Sequence, residues 1–270
     1  MRALDGKLRL SEISIPGTHN AGARFEPLTG TARCQNLTIL EQLDVGVRFL
    51  DIRCRHMNNM FTIYHGLVHQ QLSFTQVLTD TQEFLKLNPS ETVVMSIQEE
   101  GSAVGASRSF EATLGSYLAE NSGLWSLNDG IPSLNQVRGK IVLLRRFRAN
   151  ASPLGIDASL WPDNSTFVSG IIKVQDIYKV RNNEEKWKSF TTLLHEAGKG
   201  NPAILYINFA SGVNHTFGIP NIKSVSDDMN ARVSQYYSVY TRRMTGIIVM
   251  DFADGAKCAL IYGSNLKSKP

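Results

Sequence analysis

Apolar positions along the 270-residue chain fall into seven short runs rich in β-branched residues, at 12–16, 47–53, 92–97, 140–145, 171–174, 203–208 and 246–251. Near-continuous apolar runs of this length predict strands of a parallel sheet covered on both faces. A weaker run at 61–64 follows the second across Met57-Asn58-Asn59-Met60 and predicts a hairpin return rather than a separate βα unit. Between the strands, apolar residues recur at helical spacing over 37–43, 74–87, 109–119, 184–197, 227–240 and 255–266. Ser73 is positioned to cap the second of these helices and Asn88-Pro89 to stop it, while Gly198 stops the fourth. Residues 149–170, with Pro153, Gly155 and Pro162, read as a long irregular connection.

Alternating strands and helices imply an α/β fold with a mostly parallel sheet. No repeat, low-complexity tract or linker divides the chain, so residues 1–270 are expected to form one domain. No Gly-x-Gly-x-x-Gly turn follows any strand, which favours a βα barrel over an open doubly wound sheet. Only seven strong strands are present, so the barrel is expected to be irregular. A barrel carries its active site at the C-terminal ends of its strands.

Composition narrows the function only a little. The formal charge of +4 is mild, and apart from Arg145-Arg146-Phe147-Arg148 the basic residues are scattered. That excludes an obvious nucleic-acid surface but suits an anionic substrate or membrane. Cys34, Cys54 and Cys258 are too few and too widely spaced for a disulfide framework or a zinc site, leaving open a Cys34 to Cys54 bridge or three free thiols. No apolar run reaches the roughly 20 residues that span a bilayer. The first residues lack the apolar segment of a secretion signal, so a soluble chain is expected, with any export signal already removed.

Nearly every predicted strand ends on groups capable of chemistry. The first delivers His19 and Asn20 after a Pro16-Gly17 turn, the second Asp51 and Arg53, and the hairpin His65. Gln98, Glu99 and Glu100 end the third, Arg145 and Arg146 the fourth, Asp176 and Tyr178 the fifth, Asn208 the sixth, and Asp251 and Asp254 the seventh. Two imidazoles can serve as base and acid for phosphoryl transfer while a guanidinium holds the phosphate bidentately. A carboxylate bonded to the basic histidine fixes its tautomer and stabilises the imidazolium. Asp251, on a last strand that would lie next to the first, suits that task. His56, His69, His195 and His215 read as surface or structural residues, since no His-Glu-x-x-His spacing occurs.

Seven segments then resemble the X region of phosphatidylinositol-specific phospholipase C, above all the small single-domain bacterial enzymes. They are Ser14-Ile15-Pro16-Gly17-Thr18-His19, Val47-Arg48-Phe49-Leu50-Asp51-Ile52-Arg53, Tyr64-His65-Gly66, Val94-Met95-Ser96-Ile97, Arg138-Gly139-Lys140-Ile141-Val142-Leu143-Leu144, Val174-Gln175-Asp176-Ile177-Tyr178 and Ile248-Val249-Met250-Asp251, in the family's order. The resemblance implies a distorted, incompletely closed TIM-type barrel in a secreted, monomeric enzyme that meets phosphatidylinositol at a membrane. It implies His19 as general base, His65 as general acid, Asp251 behind His19, Arg53 on the phosphate, and Arg146, Asp176, Tyr178 and Gln98 in the inositol pocket.

The resemblance also bears on cofactors. Arg53 occupies the position of an acidic calcium ligand in eukaryotic relatives, so no cofactor is expected. Asn20, however, is the residue of the calcium-dependent branch, and Gln98-Glu99 replaces a lysine of bacterial relatives. Asn20, Asp51 and Glu99 therefore form the alternative, a calcium site. Competing functions are a glycerophosphodiester phosphodiesterase, whose Glu-x-Asp after the second strand is not supplied by Asp51-Ile52-Arg53, and a non-catalytic phosphoinositide-binding barrel. Phe25, Leu28, Trp161 and Phe217 are the loop residues that could touch a membrane.

Overall fold

The computed structural model describes residues 1–216, 218–239 and 244–266. After a helical turn at Leu10–Glu12, which moves the first strand three residues later than its apolar run suggests, the parallel strands are β1 (Ile15–Thr18), β2 (Phe49–Met57), β5 (Val93–Glu99), β6 (Trp125–Ser126), β7 (Ile141–Arg146), β8 (Ile156–Asp157), β10 (Ile172–Asp176), β11 (Leu205–Phe209) and β14 (Ile247–Met250). The antiparallel ones are β3 (Met60–His65), β4 (Val68–Ser73) and β9 (Ser165–Ser169), with a separate ribbon of β12 (Asn214–Thr216) and β13 (Ile219–Asn221). The helices are α1 (Ile39–Asp44), α2 (Phe74–Leu87), α3 (Phe110–Glu120), α4 (Leu134–Val137), α5 (Asn183–Ala197), α6 (Ile222–Val239) and α7 (Gly255–Gly263).

The sheet runs β6-β7-β5-β2-β1-β14-β11-β10-β9, and its two ends do not pair with each other among the described residues. It is a curled, incompletely closed barrel. β14 lies directly beside β1, with Thr18 opposite Met250, so the first and last strands deliver adjacent residues. The hairpin at 61–64 is present, joined to β2 through Asn58 and Asn59, which both adopt positive φ as a tight two-residue turn demands.

Sequence expectation and structure part company in several places. β4 has the mixed sequence Val-His-Gln-Gln-Leu-Ser and carries no apolar run. The connection at 149–170 contains β8 and β9, the latter pairing antiparallel with β10 and placing Ser165 opposite Asp176. The sixth helix begins at Ile222 rather than 227, and Tyr240, its expected end, lies outside the described residues. The seventh stops at Gly263, three residues early. Other helix starts follow their caps: Thr38 and Ser109 accept hydrogen bonds from the amides of Glu41 and Ala112, and Ser73 does the same for Gln76.

Period-two alternation sorts each strand into two faces. Ile15, Phe49, Val94, Val142, Leu144, Val174, Ile207, Ile247 and Val249 pack inside the barrel. Leu50, Ile52, Met95, Ile97, Leu143, Ile248 and Met250 pack outward among residues such as Val77, Leu114, Phe190 and Tyr237 of the helices. Gly17 faces inward where a Cβ would meet the Phe49 ring at 2.9 Å, so the strand can approach its neighbour only as glycine. Continued upward, the inward phase reaches His19, Asp51, Arg53, Gln98, Arg146, Asp176 and Asp251. Cys34, Cys54 and Cys258 are buried free thiols.

Candidate active site

At the C-terminal ends of the strands these inward residues surround a cleft of about 540 Å³, lined by His19, Arg53, His65, Gln98, Arg146, Asp176 and Tyr178 among others. The backbone turns sharply at two points beside it. Asn20 and Phe252, each directly following a polar strand-end residue, both have left-handed φ, 42° and 49°. Asparagine tolerates that conformation, whereas phenylalanine does so at a cost, a form of strain that clusters at functional sites. The amide of Phe252 is held by the Cys34 carbonyl at 2.7 Å. Gln35, buried beneath the site, ties both turns together: its Nε2 donates to the carbonyls of His19 and Met250, each at 2.9 Å.

His19 Nδ1 lies 2.8 Å from Asp251 Oδ1, and the carboxylate is fully buried. On the other side of the ring, Nε2 receives Arg53 Nη2 at 3.1 Å. A guanidinium can only donate, so Nε2 accepts and Nδ1 carries the proton. In this arrangement the Nε2 lone pair is held by Arg53. Asn20 Nδ2 also meets Nε2, at 3.0 Å.

His65 stands across from His19, ring centroids 6.2 Å apart and nearly perpendicular. Its Nδ1 donates to the Ala32 carbonyl at 2.7 Å, which leaves Nε2 free for the cleft. Burial, reinforced by Arg53, pushes its pKa down to about 4.

Asp51 organises the cations. Its Oδ2 accepts from Arg53 Nε and Nη2 at 3.3 Å and from the Asn20 amide at 3.2 Å, and Oδ1 accepts from Arg146 Nη1 at 3.3 Å. Burial opposes its ionisation, but Arg53 and Arg146 outweigh that and hold the carboxyl below its ordinary value. Arg146 is stacked on Trp161, its guanidinium carbon 3.8 Å from the ring centroid, and Trp161 Nε1 donates to Asp176 Oδ2 at 3.0 Å. Tyr178 donates its hydroxyl to Asp163 at 2.7 Å on the cleft rim.

Ten of the eleven residues singled out from the sequence therefore converge, and Glu99 does not. Gln98, paired with Arg53 on one side and Arg146 on the other, takes the inward phase. Glu99, opposite the outward-packed Cys54, is exposed on the other face, and Glu100 lines the cleft instead. Asn20, Asp51 and Glu99 do not converge on one point, since Asp51 has both oxygens committed to guanidinium groups and Glu99 points away. A further cluster of His19, Cys34 and Asp251 has ligand atoms within 4.8 Å of one another, but burial and the Asp251 carboxylate push the Cys34 thiol pKa well up and so oppose the thiolate a metal would need. Trp161, one of the loop residues that could touch a membrane, forms a wall of the cleft. Sequence reasoning also passed over Gln35, for which no local pattern signals a role. Of the remaining histidines, His56 is buried against Phe61 and bonded to Thr113, and His215 is exposed at the cleft mouth.

The family profile described as "Phosphatidylinositol-specific phospholipase C, X domain" matches residues 9–147, just over half of the chain. The chain belongs to the phosphatidylinositol-specific phospholipase C family. It is 30% identical over 273 residues to a 1-phosphatidylinositol phosphodiesterase of Staphylococcus aureus strain Newman, covering 94% of this chain and 87% of that one. The phosphatidylinositol-specific phospholipase C of Listeria monocytogenes superposes with a TM-score of 0.84 at 27% identity, over 98% of this chain and 97% of that one. A structure of the Staphylococcus aureus phospholipase, from work on modulation of its membrane binding, gives 0.85 at 28% identity over 97% and 96%. Membership in this family displaces the glycerophosphodiester phosphodiesterase alternative.

Proposed function

We propose that the protein cleaves phosphatidylinositol by intramolecular phosphoryl transfer, with His19 as base and His65 as acid. The observation that carries this reading is the pairing of His19 Nδ1 with the buried Asp251 carboxylate while its Nε2 accepts from Arg53, with the His65 ring 6.2 Å away across the cleft. His19 Nε2 removes the proton of the inositol 2-hydroxyl, and that oxygen bonds to phosphorus. The bond from phosphorus to the diacylglycerol oxygen breaks, and His65 Nε2 supplies its proton. The products are diacylglycerol and a cyclic inositol 1,2-phosphate. In a slower second step His65 activates water, His19 protonates the 2-oxygen, and inositol 1-phosphate leaves.

Arg53 binds the phosphate, with charge-assisted hydrogen bonds to its oxygens. Turning Nη2 toward the phosphate also releases His19 Nε2 for proton transfer. Gln98 Oε1 and Arg146 Nε, buried and without protein partners, support a role for these two residues, with Asp176 and Tyr178, in holding inositol hydroxyls. Asn20 orients His19.

The reading extends to contact with a membrane by an exported monomer. Leu67 is 91% exposed beside Gly66 of the cleft, and Leu160 is 73% exposed beside Trp161. Leu28 and Ile219, near Thr31 and Pro220 of the same rim, are also exposed, as is Phe25. Phe217 lies outside the described residues. Apolar side chains ringing one mouth suit insertion between lipid headgroups.

Phosphorus NMR of phosphatidylinositol vesicles incubated with the protein, with and without chelator, tests the reaction. A cyclic phosphate forming equally in both supports it; no turnover in either favours a binding module. Sedimentation and cell fractionation test the oligomeric state and export.

A further inference from the structure

Lys186 of α5 is 2% exposed, and its side chain ends in a nitrogen beneath the floor of the cleft. Its Nζ donates to the Ile177 carbonyl at 2.7 Å and to Gln175 Oε1 at 3.2 Å. The same Gln175 oxygen accepts from the Ile177 amide at 2.9 Å. Gln175 Nε2 donates to Asn208 Oδ1 and the Phe209 carbonyl, both at 2.8 Å, and Asn208 Nδ2 returns to α5 through the Phe190 carbonyl at 2.8 Å.

This network is costly. The hydrogen bonds of Lys186 go to an amide oxygen and a carbonyl rather than to a carboxylate, and burial lowers its pKa to about 7 against the distant pull of Asp176 and Asp251. A methionine would fill the same volume without desolvating a charge. What the lysine adds is direction. The chain leaves β10 at this point, and Ile177, whose amide and carbonyl are both captured, lies between Asp176 and Tyr178. At the far end of the network, Phe209 packs edge-on against His19 and Trp161, with ring centroids 6.1 and 5.8 Å away.

We propose that Lys186 is a positioning residue for headgroup recognition, its Nζ setting the backbone of residues 175–177 so that Asp176 and Tyr178 face the cleft together. The inference rests on the headgroup role given above to those two side chains.

The test compares Lys186→Met and Asp176→Ala with the unaltered protein, measuring myo-inositol affinity by calorimetry, phosphatidylinositol turnover and Tm. Lys186→Met is expected to raise KM and the inositol Kd about tenfold, to change kcat by less than about threefold, and to leave Tm unchanged or higher. A structural role alone would instead lower Tm and disturb kcat. Unchanged inositol affinity in Lys186→Met alongside a loss in Asp176→Ala overturns the inference and spares the headgroup reading. Unchanged affinity in Asp176→Ala overturns both. If Lys186→Met does not fold, Lys186→Gln, which keeps a donor but loses the charge, serves for the same comparison.

Discussion

His19 and Asp251 are 232 residues apart in sequence and 2.8 Å apart in space, because the first and last strands of the sheet lie side by side in parallel. The carboxylate is fully buried, so its hydrogen bond to Nδ1 is shielded from water and strongly favours one tautomer. Asp251→Asn is expected to lower kcat about 100-fold or more while the fold persists, since an amide in either orientation stabilises an imidazolium far less. Steady-state kinetics beside a circular dichroism spectrum checks this, and a kcat within a factor of a few of the unaltered protein would remove Asp251 from the reaction.

His19→Ala and His65→Ala should each reduce turnover about 100-fold to 10,000-fold, the range typical of a general base or acid. The two effects should combine less than additively, as both groups serve one proton relay. Retention of normal rates by either variant would take that histidine out of its role.

The depressed pKa of His65 has two consequences. The folded state resists protonation of this group down to about pH 4, whereas the unfolded chain takes up the proton near its ordinary value of about 6.5. Stability contributed by neutral His65 is therefore present above about pH 6.5 and lost as pH falls toward 4. Thermal unfolding across that window should show a smaller loss in His65→Asn than in the unaltered protein. A phosphate placed between Arg53 and His65 adds a negative charge that favours the imidazolium, so NMR titration of His65 should move upward with inositol 1-phosphate bound. No movement would leave the acid step without a protonated donor at neutral pH.

Asp51 holds two guanidinium groups at once, and its loss would leave both cations buried with no shared anion. Asp51→Asn should destabilise the protein by about 3–5 kcal/mol, the usual cost of breaking a buried pair. Denaturant titration measures it. Arg53→Lys should cost about 100-fold or more in kcat, because an ammonium cannot bridge Asp51, His19 and phosphate in a planar fork. Added calcium should not restore that activity, and restoration would reopen the metal alternative.

Leu67→Asp and Leu160→Asp should weaken binding to phosphatidylinositol vesicles in a flotation assay, while hydrolysis of soluble cyclic inositol phosphate stays normal. Unchanged vesicle binding in the double variant would move the membrane contact to another face.

Local pattern carried a large part of this fold. Residues 74–87 form a helix because Ser73 caps them and Asn88-Pro89 ends them, and every one of these signals lies within a turn of where it acts. The strand at 246–251 and the hairpin at 61–64 were equally legible as apolar runs. β9 was not, because its alternating Ser165–Ser169 becomes a strand only through pairing with β10. The place of Trp161 in the cleft was hidden for a related reason: an aromatic in a polar loop looks like a surface residue, and only the fold brings Arg146 and Asp176, from two different strands, against it.

By itself the sequence determined the alternation of strands and helices, the polar groups at the strand ends and the family motifs that contain His19, Asp51, Arg53, His65, Asp176 and Asp251. Only the tertiary structure decided which phase of each strand faces the barrel, putting Gln98 inside and Glu99 outside, and it alone joined Arg53 and Arg146 on one carboxylate and set Gln35 and Lys186 beneath the site. A period of two tells that neighbouring residues part company but not which of them goes inward. That choice belongs to packing between strands far apart in the chain.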